Sequence, residues 1–225
     1  MSWAPLYRAG AFSALVYVLL VLVPVVLLYT APVPPTDGRE LLEYIDAHKF
    51  VYLTELVCFV GLSVPALVVF GALAVALGRA NKSVAAIGGL FGIVSETIAL
   101  ALGSSPQSLH GGLVVLSDSY QAAGTDTERA GLVSAADALI AATNAVSWAG
   151  ILTAAAILVL SLIMRRETFG RVVGPIGVVT GAAGILAEAL RPLIGEAYLL
   201  YGLLLPTWFA LVGWRLFLLG RQRTA

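Results

Sequence analysis

Residues 170–191 read GRVVGPIGVVTGAAGILAEALR, and the spacing of glycine in this run decides how the chain can fold. Glycines recur at steps of four and three, and the same steps then reach Glu188 and Arg191. The glycines are Gly170, Gly174, Gly177, Gly181 and Gly184. A helix places residues at these steps on one face. Glycine inside a helix costs about 1 kcal/mol relative to alanine, so we expect this face to recover the loss by packing closely against another helix.

The rest of the chain has the composition of a membrane protein. Of its 225 residues 60% are hydrophobic and 12% charged, whereas a soluble domain is about 25% charged. Six apolar stretches each reach the roughly 20 residues that a helix needs to cross a bilayer core. The alternation of a membrane β-barrel is absent. We therefore predict an all-α bundle of six transmembrane helices, at about 10–31, 50–78, 84–104, 139–164, 172–192 and 198–219.

Charge, cysteine content and motifs exclude several classes of protein. The formal net charge is zero, so nothing favours binding to nucleic acid. The single cysteine, Cys58, excludes an intrachain disulfide and a thiolate metal cluster. The catalytic patterns H-E-x-x-H and G-x-S-x-G and a phosphate-binding glycine loop are absent. We therefore predict no catalytic residue, no cofactor and no metal, and favour a protein that is not an enzyme.

The basic residues predict the orientation in the membrane. With both termini inside, nine of the 13 basic residues face the cytoplasm, as the positive-inside rule favours. These are Arg8, Arg79, Lys82, Arg165, Arg166, Arg171, Arg215, Arg221 and Arg223, against Arg39, Lys49, Arg129 and Arg191 outside. The first apolar stretch is longer than the hydrophobic region of a signal peptide, so we expect an uncleaved span. The sequence thus predicts a multi-pass protein of the cell membrane.

The largest outer segment, at about 106–138, is predicted to be helical, and the chain to form one transmembrane domain over residues 1–225. Thr125-Asp-Thr-Glu128 is a capping box, which places a helix start at about Asp126. No strong breaker follows, so this helix is expected to continue to Met164. A second helix is expected to run from Leu41 into the second span.

The third and fifth spans share a pattern. GLFGIVSE, at 89–96, and GAAGILAE, at 181–188, both read G-x-x-G-I-x-x-E, at an offset of 92 residues. The match predicts two parallel repeats related by an axis along the membrane normal.

Five polar residues in the outer halves of the spans are the candidate ligand or ion pocket: Glu55, Glu96, Asn144, Glu188 and Arg191. A charge near the bilayer centre costs at least about 2.5–3.5 kcal/mol, so such residues are expected to face the bundle interior. Arg191 can neutralise Glu188 three residues earlier. Glu96 has no obvious cation, so we expect burial to favour its protonated form, or a hydrogen bond to Asn144, Ser147 or water.

Three functions fit this pattern. The leading hypothesis is binding or transport of a small solute or ion through an outward-facing polar pocket, with Glu96 exchanging a proton or cation. The alternative is a structural or accessory membrane scaffold, in which the polar groups only hold helices together. An intramembrane enzyme ranks last, because no nucleophile and base occur together. The expected partners are the lipid bilayer and, in the leading hypothesis, the small solute or ion.

Four segments resemble a family of bacterial and archaeal multi-pass membrane proteins that is known only as a domain of unknown function. They are YIDAHKFVYLTELVCFVGL (44–62), NKSVAAIGGLFGIV (81–94), LSDSYQAAGTDTERAGLVSAADALIAATNA (116–145) and FGRVVGPIGVVTGAAGILAEALRPL (169–193). The polar stretch after residue 116 is the distinctive part, and the similarity runs from about residue 10 to 215. The resemblance implies a bundled membrane domain, and it implies no activity and no residue role.

Overall fold

Six helices in the described part of the chain are long and apolar enough to cross a membrane, which confirms the predicted all-α membrane bundle. The spans extend over Ala4–Leu27, Lys49–Leu77, Lys82–Leu102, Asp126–Leu162, Thr168–Ala189 and Tyr198–Arg221, and the second and the fourth each consist of two helices. The computed structural model describes residues 3–27, 29, 31–105, 109–164 and 166–221. Several residues named in the predictions lie outside the described residues. They are Leu28 and Thr30 of the first predicted span, residues 106–108 of the predicted outer segment, and Arg165 and Arg223 of the basic residues.

The described elements are helical apart from one short hairpin. In chain order they are α1 (Ala4–Leu27), α2 (Gly38–Ala47), α3 (Lys49–Gly61), α4 (Ser63–Leu77), α5 (Lys82–Leu102), β1 (Ser104–Ser105), β2 (Leu109–His110), α6 (Gly111–Ala122), α7 (Asp126–Asn144), α8 (Trp148–Leu162), α9 (Arg166–Ala189), α10 (Arg191–Ile194), a 3₁₀ turn (Gly195–Ala197) and α11 (Tyr198–Arg221). The two strands pair antiparallel.

The chain divides into two compact units. The first unit comprises Met1–Leu20, Leu62–Ile98 and Val146–Ala225, and the second unit comprises Val21–Gly61 and Ala99–Ala145. The prediction of a single transmembrane domain over residues 1–225 stays a prediction, as does the internal repeat.

Many large apolar side chains on the spans are exposed, as contact with lipid requires. On α1, Phe12, Leu15 and Leu19 are 68%, 56% and 52% exposed, and the same holds for Leu199 and Leu203 on α11. In water such a surface would be an aggregation hazard. In a bilayer it is solvated by acyl chains.

The glycines of α9 form an interhelical face in the first unit, as their spacing predicts. A Cβ atom at Gly181 would lie 2.6 Å from the backbone nitrogen of Leu158 on α8, and one at Gly184 would lie 2.5 Å from the ring of Tyr201 on α11. The helices can approach this closely only because these positions carry no side chain. Gly170 is the exception, because its φ of 76° takes it out of the helical path. The helical part of the stripe therefore begins at Gly174.

The corresponding glycines of α5 also allow side chains of neighbouring helices to pack against the α5 backbone. A side chain at Gly88 would overlap Leu160 on α8, and one at Gly92 would overlap the ring of Phe70 on α4. Gly88, Gly92 and Glu96 are all buried on α5. Both glycine faces thus continue into a buried glutamate.

In the second unit α6 and α7 are helices of the segment predicted to lie outside the membrane, and the capping box at Thr125 and Glu128 is present at the start of α7. α2, α6 and α7 enclose an apolar core with Leu41, Ile45 and Leu113 at its centre. Hydrogen bonds fix these helices to one another: the Ser117 hydroxyl donates to the Leu42 carbonyl at 2.7 Å. α2 already begins at Gly38, and the chain turns at His48 before α3, so the expected continuous helix from Leu41 is wrong.

The continuous helix expected from Asp126 to Met164 is also wrong. α7 ends at Asn144, and the backbone is extended at Ala145 (ψ 173°) and Ser147 (ψ 102°) before α8 begins. The Ser147 side chain accepts a hydrogen bond from the Gly150 N–H at 3.0 Å. This N-cap satisfies a backbone donor that the new helix leaves unpaired. The second span is interrupted more mildly, at Leu62, because Pro65 has no N–H to bond the carbonyl of Gly61.

We predict that Gly181→Ala lowers the stability of the protein. The added methyl group would meet the backbone of α8, at Leu158 and Ala154, which cannot rotate away; overpacking of this kind costs about 1–3 kcal/mol. Gly202→Ala on α11 is the matched control, since nothing lies within 4 Å of its Cβ position. Thermal unfolding in detergent should give a lower midpoint for Gly181→Ala only. Equal midpoints would contradict the close approach of α8 and α9.

Candidate functional site

The five predicted pocket residues are divided between the two units. Glu96, Glu188 and Arg191 belong to the first unit, whereas Glu55 and Asn144 belong to the second. Glu96 and Glu188 are buried, with 7% and 3% of their surface exposed. The site is therefore built from the first unit.

Glu188 and Arg191 form the expected ion pair, and Tyr198 completes it. Arg191 Nη2 donates to Glu188 Oε2, and the Tyr198 hydroxyl donates to Glu188 Oε1 at 2.7 Å. Arg191 also lies over the Tyr198 ring, with its guanidinium carbon 5.2 Å from the ring centroid. The sequence did not predict Tyr198 as a partner of Glu188. The turn at residues 190–197, in which Gly195 has a φ of 48°, brings the start of α11 back to Glu188, and the spacing of residues along one helix does not reveal such a turn.

The Glu188 carboxyl group lies against Gly150, in the first turn of α8. A Cβ atom at position 150 would overlap the carboxyl group, so glycine is required there. The free N–H groups at a helix start favour a nearby negative charge. Arg191 and Tyr198 thus hydrogen-bond the Glu188 carboxylate, and the start of α8 lies next to it.

Glu96 is held by hydroxyl groups. Thr153 Oγ1 lies 3.0 Å from Glu96 Oε1, and the Ser63 hydroxyl hydrogen-bonds the same carboxyl group. Ser95 Oγ lies 2.5 Å from Thr153 Oγ1 and 2.5 Å from the carbonyl oxygen of Ala149. We refer to Glu96, Ser63, Ser95, Thr153 and the Ala149 carbonyl as the Glu96 cluster. Ser63 and Ser95 are also buried.

The ion pairs among the described residues do not include Glu96. In the described part of the chain the hydrogen bonds of Glu96 are with Ser63 and Thr153, so Ser147 is not the partner that it was expected to be. Ser147 instead caps α8. The cap fixes the residue at which α8 starts. With this start, Thr153 lies on the side of α8 that faces α5.

Two buried tyrosines accompany these carboxyl groups. Tyr201 of α11 lies within electrostatic range of both Glu96 and Glu188, and Tyr17 of α1 lies within range of Glu96. The ring of Tyr17 stacks on Phe209, with centroids 3.8 Å apart. Periodicity could not single out these tyrosines, because aromatic residues on apolar helices ordinarily pack in the core.

A further set of polar atoms in the first unit has no hydrogen-bond partner among the described residues. The atoms are Ser161 Oγ, Thr180 Oγ1 and Trp208 Nε1. Two of these atoms, Ser161 Oγ and Trp208 Nε1, lie against Gly177, where a side chain would overlap them. Buried polar atoms are usually paired, and a bound water commonly satisfies those that lack a protein partner.

Glu55 is buried on α3 of the second unit, 5% exposed. It lies near Tyr44 of α2, whose hydroxyl donates to the Pro32 carbonyl at 2.7 Å. Burial raises the pKa of Tyr44, and the nearby Glu55 raises it further. Glu55 is thus a buried carboxyl group whose described neighbour is a tyrosine of the second unit. The remaining predicted residue, Asn144, is the last residue of α7.

Comparison with protein-family models, curated proteins and solved structures finds no match to this chain. The resemblance to an uncharacterised membrane-protein family therefore stays a prediction.

We predict that Glu188→Gln strongly destabilises the protein. It leaves Arg191, 12% exposed, without its carboxylate, and breaking a buried pair typically costs about 3–5 kcal/mol. Asp118→Asn is the control, because it breaks the exposed pair with Lys49, which is worth about 0–1 kcal/mol. The two losses are compared by unfolding in detergent. Similar losses would show that the Glu188 pair contributes no more than a surface pair.

Proposed function

We propose that this protein binds or transports a small cation in the cell membrane, with both termini in the cytoplasm, and that Glu96 is the group that holds the ion. The single observation that supports this is the surroundings of Glu96: a buried carboxyl whose described partners are hydroxyl groups rather than a cation. The orientation rests on the distribution of basic residues.

A carboxylate inside a bilayer cannot stay unneutralised at small cost. Insertion of a charged side chain at the centre of a span costs at least about 2.5–3.5 kcal/mol. Glu188 avoids this cost through Arg191, whereas the partners of Glu96 in the described part of the chain are neutral hydroxyl groups. A proton or a small cation supplied from outside would neutralise Glu96. The group is therefore suited to take up and release such an ion.

The Glu188 network favours the second candidate function, a structural or accessory scaffold. Its carboxylate, guanidinium and phenol satisfy one another, and paired groups of this kind hold helices in register. On this hypothesis Glu96 would serve packing alone. The two functions differ in whether stability depends on ions.

We predict that Glu96→Gln abolishes ion-dependent stabilisation while leaving the protein folded. A ligand that binds only the folded state at 100 times its Kd adds about 2.7 kcal/mol of stability, and glutamine cannot hold a proton or a cation by charge. The measurement is thermal unfolding in detergent across pH and across NaCl and KCl concentrations.

Glu55→Gln is the matched control, since it removes an equally buried carboxyl from the second unit. It should keep the ion dependence of the wild type. If Glu96→Gln responds to pH and salt as the wild type does, the ion-binding function is wrong and the scaffold is favoured.

A further inference from the structure

Three oxygen-to-oxygen contacts of the Glu96 cluster follow one another in a chain. Glu96 Oε1 contacts Thr153 Oγ1 at 3.0 Å, Thr153 Oγ1 contacts Ser95 Oγ at 2.5 Å, and Ser95 Oγ contacts the Ala149 carbonyl oxygen at 2.5 Å. Oxygen atoms approach this closely when a hydrogen atom lies between them. Three contacts therefore require three protons.

The two hydroxyl groups supply only two of these protons. A carbonyl oxygen accepts and never donates, so Ser95 has to donate to Ala149. Thr153 then has to donate to Ser95, because the single Ser95 proton is already used. The contact between Thr153 and Glu96 is left without a hydroxyl proton. It is completed when Glu96 is protonated and donates to Thr153.

When Glu96 is ionised, the three oxygen-to-oxygen contacts share only two protons. Thr153 would then turn its proton to the carboxylate, and Ser95 would have one proton for two neighbours at 2.5 Å. One of these contacts, between α5 and α8, would have to lengthen. Both lie in the first two turns of α8, directly after the extended residues Ala145–Ser147.

A metal ion fits these distances poorly. Even around Mg²⁺, with ligands at about 2.0–2.1 Å in octahedral geometry, neighbouring ligand oxygens lie about 2.9 Å apart. The contacts of Ser95 with Thr153 and with Ala149 are shorter than that. They are distances of a hydrogen-bonded chain.

We propose that the ion held at Glu96 is a proton. Thr153 and Ser95 are positioning residues: their series of hydrogen bonds lacks one donor, and only the protonated carboxyl group of Glu96 supplies it. This deepens the proposed function and rests on it. In the exchange step the O–H bond of Glu96 breaks and the proton passes to water. The Thr153 hydroxyl then reverses its direction to donate to the carboxylate, and the contact of α5 with α8 loosens.

In the described part of the chain, the other polar groups near Glu96 come from several helices. α4 presents the Ser63 hydroxyl and α8 presents Thr153. α1 and α11 present Tyr17 and Tyr201, and tyrosine ordinarily titrates near pH 10. Glu188 of α9, which reaches the same Tyr201, is paired with Arg191.

Infrared difference spectroscopy on the purified protein at pH 7 tests the proposal. A protonated carboxyl gives a C=O stretching band that shifts in D₂O. We expect Glu96→Gln to remove this band, Glu55→Gln to leave the Glu96 component in place, and saturating NaCl to leave it unchanged. Absence of the band from the wild-type protein, or its loss on addition of NaCl, would overturn the proposal.

Ser95→Ala tests the proton count separately. Without Ser95, Thr153 can donate freely to an ionised Glu96, so the ionised form loses its disadvantage. The pH at which the band is half lost should fall by about one unit, a tenfold weaker hold on the proton. Ser119→Ala, at an exposed serine of α6 in the second unit, is the control and should leave this midpoint in place. A midpoint unchanged in Ser95→Ala would contradict the role of the chain.

The outcomes separate this proposal from the proposed function. A band assigned to Glu96 in a protein whose stability ignores pH and salt would confirm the proton and contradict ion binding as the function. Stabilisation by NaCl that needs Glu96, in a protein without the band, would confirm ion binding and contradict the proton.

Discussion

Lipid hydrocarbon cannot hydrogen-bond or solvate a charge, and this constraint governs the whole structure. A polar group placed at membrane depth has to be satisfied by the protein or by water that the protein encloses. Partners come within reach only where helices approach closely, and close approach needs small residues. The glycines of α5 and α9 provide it, and each glycine face leads to a buried glutamate.

The two glutamates satisfy this constraint in different ways, although both reach α8. Glu188 lies at Gly150, in the first turn, and is neutralised by Arg191. Glu96 meets Thr153, one turn further on, and is surrounded by hydroxyl groups. A permanent ion pair suits a structural role. A carboxyl with neutral partners can gain or lose a proton at lower cost, and this makes it the better candidate for exchange.

The interruption of the fourth span links these observations. Residues 145–147 leave the helix, and Ser147 starts a new one. The new start places Ala149, Gly150 and Thr153 next to the two carboxyl groups. Irregular backbone at membrane depth is tolerated where protein or water covers it, and ion sites in transport proteins are often built at such points.

Much of the fold could be predicted from local signals. The six spans, the capping box at Thr125 and Glu128, and the burial of Glu188 beside Arg191 all follow from hydropathy, helix-start chemistry or helical spacing. The break before Trp148 could not be predicted, because Ala145–Ser147 contains neither proline nor glycine. The partners of Glu96 were missed for the same reason: Thr153 faces α5 only because α8 starts where it does.

Six apolar helices of membrane-spanning length, and acids that face protein, can be predicted from the residues alone, because both follow from the cost of exposing polar groups to lipid. The contacts between helices cannot: Glu55 and Asn144 belong to a different unit from Glu96, and Glu96 is bonded to hydroxyl groups while Glu188 has a cation. Such pairings join residues up to about 60 positions apart. They depend on where helices start and how closely they approach, and no local pattern encodes either.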